Sequence, residues 1–232
     1  MPATPRVDGE ALLEFGAAVY AGAGMPEADA RLVADTLVQA DLWGHQSHGV
    51  LRLGWYLDRI RNGVMDPVTK PEFAVDAGTV AVIDGHDGVG HVVTALATRE
   101  AVKRAKAHGL GAVGVRMSNH FGTCMYYTRI GALEGCAMFL TSNCGHFMIA
   151  INIEAFQPLA AFNARMEEYI AELKSVPLAK GFAEVFYPGE IEANNDIANR
   201  RDGLQLPEDT LADLARIARE TGLLDKLPFA AT

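Results

Sequence analysis

The stretch ADLWGHQSHGVLRLGWY, residues 40–56, places His45, Ser47, His48 and Arg52 within eight positions, beside Leu51, Leu53, Trp55 and Tyr56. Titratable side chains are costly to bury without partners, so such a cluster is either a site or a hydrated helix end. If Ser47 caps the helix that follows, its hydroxyl accepts a free N–H of the first turn. His48 and Arg52 then lie four apart on one face. A guanidinium one turn from an imidazole lowers the ring's affinity for a proton and keeps it a usable base near neutrality. It can also hold a carboxylate with two parallel hydrogen bonds. Together these residues suit a small 2-hydroxy or 2-oxo acid, with Arg52 on the acid group, His48 exchanging the hydroxyl proton, and Ser47 orienting the ring or meeting the substrate. A capped, solvated helix end with a surface arginine uses the same residues and does no chemistry.

A second cluster lies in VGVRMSNHFGTCMYY, residues 113–127, where a strand runs into Ser118, Asn119, His120, Phe121 and Gly122 before a helix begins. This puts polar side chains and free N–H groups at the carboxyl end of a strand, where open α/β sheets bind ligands. Asn143, closing the next strand, shares that edge if its strand is parallel and adjacent. His45 and His48 also spell HxxH with Asp41 one turn back, but a zinc site needs three or four convergent ligands. Only by borrowing His120 does a metal-dependent hydrolase become a competing reading, and no metal ligand is assigned. Gly109, Gly111 and Gly114 form GxGxxG, yet they follow a helix and lead into a strand. The dinucleotide fingerprint needs the reverse order, so the Rossmann reading is rejected.

The elements that must position these clusters follow from hydrophobic spacing. Helices are predicted over 8–22, 26–42 and 49–63, the last ended by Asn62-Gly63. Strands over 79–85, 110–117 and 136–143 alternate with helices over 91–109 and 123–135, the rhythm of an α/β layer. Another strand follows Gly145 in HFMIAINI. The remainder is mainly helical: LAAFNARMEEYIAEL, then YPGEIEANN as a loop, then PEDTLADLARIARETG.

Bulk properties narrow the partners. A net charge of −9 over 232 residues disfavours nucleic acid and anionic membrane as main partners. The first residues carry acids where a signal peptide has its apolar core, and no stretch reaches the length of a membrane-spanning helix. Three cysteines with no CxxC indicate neither a disulfide framework nor a zinc ribbon, and a reducing cytoplasm fits them.

ADLWGHQSHGVLRL followed by VGVRMSNHFG and LTSN resembles the malate/L-lactate dehydrogenase family that is distinct from the Rossmann enzymes of the same name, with ureidoglycolate, sulfolactate and piperideine-2-carboxylate oxidoreductases among its members. GHFMIAINIEAFQP, VPLAKGFAEVFYPGEIE and a closing helix ending in TGLL extend the resemblance over nearly all of the chain. It implies an α/β, non-Rossmann, sulfolactate-dehydrogenase-like fold and hydride transfer between NAD or NADP and a small carboxylate substrate, usually in a homodimer. By motif, Ser47 and His48 correspond to the catalytic pair and Arg52 to the carboxylate ligand. Ser118, Asn119, His120, Phe121, Gly122 and Asn143 correspond to cofactor contacts, and His120 competes with His48 for the proton. In the family a long segment separates the residue at Asn143 from the strand resembled from Gly145 onward, whereas here Cys144 alone joins them. The resemblance therefore implies a shortened central sheet with flanking N- and C-terminal helices. Its expected parts are 1–75 (helical, for substrate and dimerisation), 76–157 (truncated, α/β, for cofactor) and 158–232 (helical, packing back on the first). The same gap leaves open an inactive remnant that only dimerises or binds ligand.

Overall fold

A computed structural model describes residues 5–142 and 145–231. Helices α1 (Gly9–Gly22), α2 (Glu27–Leu42) and α3 (Leu53–Arg61) open the chain. Asp8 caps α1 by accepting the N–H of Ala11 at 2.8 Å, satisfying one of the first-turn donors. α1, α2 and α3 bury Leu12, Phe15, Leu37, Leu53 and Tyr56 against Leu214 and Ile217 of α8 (Glu208–Thr221), forming one apolar core. A two-residue strand β1 (Arg6–Val7) pairs antiparallel with β7 (Leu204–Gln205) and ties the two ends of the helical layer together.

The second layer is a five-stranded sheet in the order β2-β3-β4-β6-β5, built from β2 (Glu72–Ala77), β3 (Val80–Gly88), β4 (Leu110–Ser118), β5 (Cys136–Ser142) and β6 (His146–Asn152). β3 and β4 are parallel, joined by α4 (Gly90–His108); the other pairs are antiparallel. The alanines of α4 (Ala97, Ala101, Ala105) pack on Val113, Val115, Met148 and Ala150 of the sheet. Small residues let the helix lie close: a Cβ on Gly111 would meet the Ala101 carbonyl at 2.1 Å. Gly109, at φ 87°, caps α4. Two of the GxGxxG glycines, Gly109 and Gly111, thus serve a helix end and a close helix–strand contact, as their order in the sequence implies.

Three expectations need correction. The helix expected over 49–63 begins late: Val50–Arg52 is a 3₁₀ turn and α3 starts only at Leu53, and a separate 3₁₀ turn, Gln46–His48, precedes it because the chain is extended at Gly49 (ψ −156°). YPGEIEANN was expected as a loop, but most of it lies in α7 (Glu190–Asp202). That helix buries no residue and so shows no apolar stripe; its Asn195 and Asn199 instead donate to the carbonyls of Trp43 and Leu42 at the end of α2, groups a helix end leaves unbonded. The strand ending at Ser142 runs parallel to β4 but is not its neighbour, since β6 lies between them. Asn143 itself lies outside the described residues. The strand β2 was not anticipated, and all six of its residues are exposed.

Helix α6 (Leu159–Ser175) and the segment after it depart from the rest. No residue of α6 is buried, and Phe156, Tyr169, Phe182 and Ile197 are more than half exposed. Among the described residues no helix is long and apolar enough to cross a membrane.

Candidate active site

The connection from α2 to α3 is held by a buried acid. Asp41, 3 % exposed, accepts the N–H of Val50 at 2.7 Å, and its burial raises its pKa to about 7. A Cβ on Gly49 would sit 2.0 Å from the Asp41 carboxylate, so only glycine lets the chain pass there. This strut sets the two turns that carry Ser47, His48 and Arg52.

Ser47 does not cap a helix. Its Oγ lies 2.9 Å from His48 Nδ1, and its carbonyl accepts Arg52 Nε at 2.9 Å. The guanidinium is thereby folded back toward His48 although no continuous α-helix joins them. The His48 pKa is lowered by burial first, then by Arg52 and His45.

His120 comes from the other layer. Met117, at φ 47° near the end of β4, has an unusual conformation for a side-chain-bearing residue. The loop brings the His120 ring over that of His48, with centroids 5.7 Å apart and planes 23° from parallel. Tyr56 Oη and the Gly122 N–H both lie on His120 Nδ1, at 2.5 and 3.2 Å. Trp55 meets the ring edge-on at 5.8 Å and lies within 5.8 Å of Arg52 and 5.0 Å of Arg59. Burial, followed by His48, Arg52, His146 and Arg59, lowers the His120 pKa to about 4. Beneath lies His91, fully buried, edge-on to Tyr56 at 4.8 Å and with no hydrogen-bond partner on either nitrogen. Its burial, with His120 and His146, takes its pKa down to about 3.

The remaining loop residues divide. Asn119 is committed internally: its Nδ2 donates to the carbonyls of Asp87 and Gly88, and its Oδ1 accepts Arg59. His146 Nε2 donates to its carbonyl at 3.1 Å. Phe121 is buried between Tyr127 and His146. Ser118 and His120 are the loop side chains left partly open, and Gly122 contributes its backbone. His45 pairs with Glu192 of α7 at 3.3 Å; among the described residues no three His, Cys, Asp or Glu side chains converge to hold a metal ion. A polar cleft of about 470 Å³ is lined by Arg6, Asp41, Gln46, Asn199 and Gln205 and includes neither imidazole of the pair.

The sequence offers Asp41 only as a possible metal ligand beside His45 and His48, whereas it braces the connection within the helical layer. Tyr56, Arg59 and His91 read as ordinary helix residues, and only the meeting of the two layers sets them against the site.

The sequence model for malate/L-lactate dehydrogenases matches residues 7–144 and 140–215, two segments that meet where one family segment is expected to be lacking. The malate dehydrogenase of Pyrococcus horikoshii is 35 % identical over 212 residues, 88 % of this chain and 54 % of that protein. The L-sulfolactate dehydrogenase of Methanocaldococcus jannaschii is 32 % identical over 68 % of this chain and 47 % of its own length. The chain spans about half the length of these curated relatives. Its fold superposes on malate dehydrogenase from Entamoeba histolytica with a TM-score of 0.90 at 22 % identity, covering 95 % of this chain and 99 % of that one. On the M. jannaschii sulfolactate dehydrogenase structure the TM-score is 0.87 at 21 % identity, over 94 % of this chain and 98 % of that one.

Proposed function

The chain belongs to the malate/L-lactate dehydrogenase family, and from that premise we propose that it is an NAD- or NADP-dependent oxidoreductase acting on a small 2-hydroxy or 2-oxo acid of the malate or lactate type. The observation that carries this reading is the pair of stacked imidazoles, His48 and His120, with the Arg52 guanidinium drawn back onto the Ser47 carbonyl beside them. Arg52 would hold the substrate carboxylate by charge-assisted hydrogen bonds. Ser47 orients His48, and one of the two rings moves the proton at the substrate's C2 oxygen.

The residues present fit a nicotinamide coenzyme. The half-open Ser118 and His120 offer polar groups to a flat amide-bearing ring, and Thr123 makes no side-chain cap, so the first N–H groups of α5 (Cys124–Leu133) have no such acceptor; helix starts of this kind suit phosphate oxygens. When bound, that group supplies the hydride exchanged with C2. The chain's own part is to fix the acid, shield the carbonyl and handle the proton.

We further propose a homodimer, supported by the unburied apolar surface of α6 and the segment that follows. A cytoplasmic setting is consistent with the free thiols of Cys124 and Cys136. A second reading, a ligand-binding or self-associating protein without turnover, is favoured by the chain's span of only about half of its relatives.

The test is titration with NADH and NADPH, followed by quenching of Trp55 beside the site, and then assays with malate, lactate and pyruvate. Saturable binding with turnover is expected. Absence of binding at millimolar coenzyme overturns the dehydrogenase reading, and binding without turnover supports the second.

A further inference from the structure

Two polar side chains near the start of α4 are enclosed without a partner. His91 and Thr94 are both 0 % exposed, and neither ring nitrogen of His91 nor the Thr94 hydroxyl has a hydrogen bond to any described residue. They stand three apart, so they share one face of the helix. Thr98, four residues on from Thr94, shows where that face is turned: its hydroxyl donates to Met148 Sδ of β6 at 3.9 Å. The loop after β4 closes the space from the other side. The Asn119 and His120 carbonyls press on Gly90, where a Cβ would lie 2.1 and 2.3 Å from them, and a Cβ on Gly122 would come 3.2 Å from His91 Nε2. Tyr56 stands edge-on to the His91 ring at 4.8 Å.

Buried polar groups are nearly always hydrogen-bonded, because one left unpaired forfeits the hydration it had in the unfolded chain. Three such atoms within one helical turn mark the place of an occupant, and their chemistry decides which. The His91 ring is neutral, its pKa taken down to about 3 by burial and by His120 and His146. A neutral imidazole offers one N–H and one lone pair, and a hydroxyl likewise donates and accepts. The occupant must therefore do both: an anion only accepts and a cation only donates. The titratable groups acting on His91 are imidazoles, which supply no negative charge to hold a metal ion.

We propose that His91 and Thr94 form a binding site for internal water, lodged between the first turns of α4 and the loop over residues 118–122, and that this water ties the loop to the helix. A buried water makes about three hydrogen bonds, and His91, Thr94 and the loop carbonyls beside Gly90 are of the types to provide them. The loop that carries His120 is then braced from beneath through solvent rather than by direct side-chain contact with α4. The site stands on the packing of the two layers and holds whether or not the chain turns over a hydroxy acid.

The test uses the full chain in water enriched in ¹⁷O, whose magnetic relaxation dispersion reports waters held longer than the molecule takes to tumble. The wild type is expected to show a larger dispersion than His91→Phe, and His91→Gln, which keeps a donor and an acceptor, to stay with the wild type. Equal dispersions for wild type and His91→Phe overturn the proposal. Thr94→Val keeps the shape of the side chain and removes the hydroxyl. If that hydroxyl bonds water, the urea midpoint at pH 8 should fall; an unchanged or raised midpoint means that it had no partner and overturns the site. Should His91→Phe fail to fold, the wild type decides alone: nuclear Overhauser contacts from water to the His91 ring C–H groups are expected, and their absence overturns the proposal.

Discussion

At His48, His120 and His91 burial comes first, and the neighbouring arginines of the first two and the imidazoles around all three act in the same direction, favouring the neutral ring. The consequence for stability follows from linkage. A histidine near 3 when folded and near 6.5 when unfolded binds a proton first in the unfolded chain. Its contribution is therefore intact above about pH 6.5 and is lost as pH falls toward 3. For His91 this amounts to about 3 kcal/mol between pH 6.5 and 4, at 1.36 kcal/mol per unit. Asp41, whose pKa burial raises to about 7, works the other way over the same range, so the comparison must be differential. Between pH 7 and 4.5 the wild type is expected to lose roughly 2–3 kcal/mol more than His91→Leu, measured by urea unfolding; equal losses would show that His91 is not held neutral. Arg52 yields a kinetic prediction. Removing a charge-assisted carboxylate clamp costs about 1.5–3 kcal/mol, so Arg52→Ala should raise KM for the acid by about 10–150-fold, with a smaller effect on coenzyme binding. An unchanged KM would remove Arg52 from the substrate.

Among the elements, the pair of turns between α2 and α3 shows how local patterning misleads. Apolar spacing over 49–63 predicts one helix, but Asp41 takes the Val50 N–H and Gly49 is extended, so its first turn is the 3₁₀ turn Val50–Arg52, set apart from the turn Gln46–His48 before it. His48 and Arg52 still meet, through Arg52 Nε on the Ser47 carbonyl rather than through helical periodicity. Gly49→Ala drives a methyl group into the Asp41 carboxylate. It is expected to cost about 1–3 kcal/mol, the range for overpacking, and to lower turnover by moving His48. Relief by the double change Gly49→Ala/Asp41→Gly would confirm the cause, since residues in direct contact couple; full additivity of the two changes would refute it. α7 was illegible for a related reason: its support is amide-to-carbonyl bonding onto α2, which leaves no apolar stripe to read.

For the molecule as a whole, the question is what covers the apolar side chains along α6 and beyond it. Phe156 and Phe182 are 74 % and 70 % exposed, and Tyr169 is 54 % exposed. Exposed apolar groups in one region mark association surfaces or aggregation liabilities. Sedimentation equilibrium at micromolar chain concentration is expected to give twice the chain mass, and Tyr169→Glu/Phe182→Glu to give a folded monomer. A monomeric wild type would leave the proposed homodimer without support. The helical layer and the sheet layer each have their own core, but the candidate site has residues from both, so anything that shifts the layers separates His48 from His120 before either layer unfolds.

The elements that needed only local information were legible in the residues. α1, α2 and α4 follow apolar spacing, Gly109 ends α4, and the strands around β4 alternate with helices as expected. The SHG and SNHFG clusters were legible as candidates because titratable side chains beside apolar ones are costly and therefore informative. Only the tertiary structure decided which groups meet. The stacking of His48 on His120, the hydrogen bond between Tyr56 and His120 Nδ1, the saturation of Asn119 and the pairing of β6 with β4 all join residues distant in sequence. No periodicity along the chain encodes such contacts, because they depend on how two separately packed layers are laid against each other.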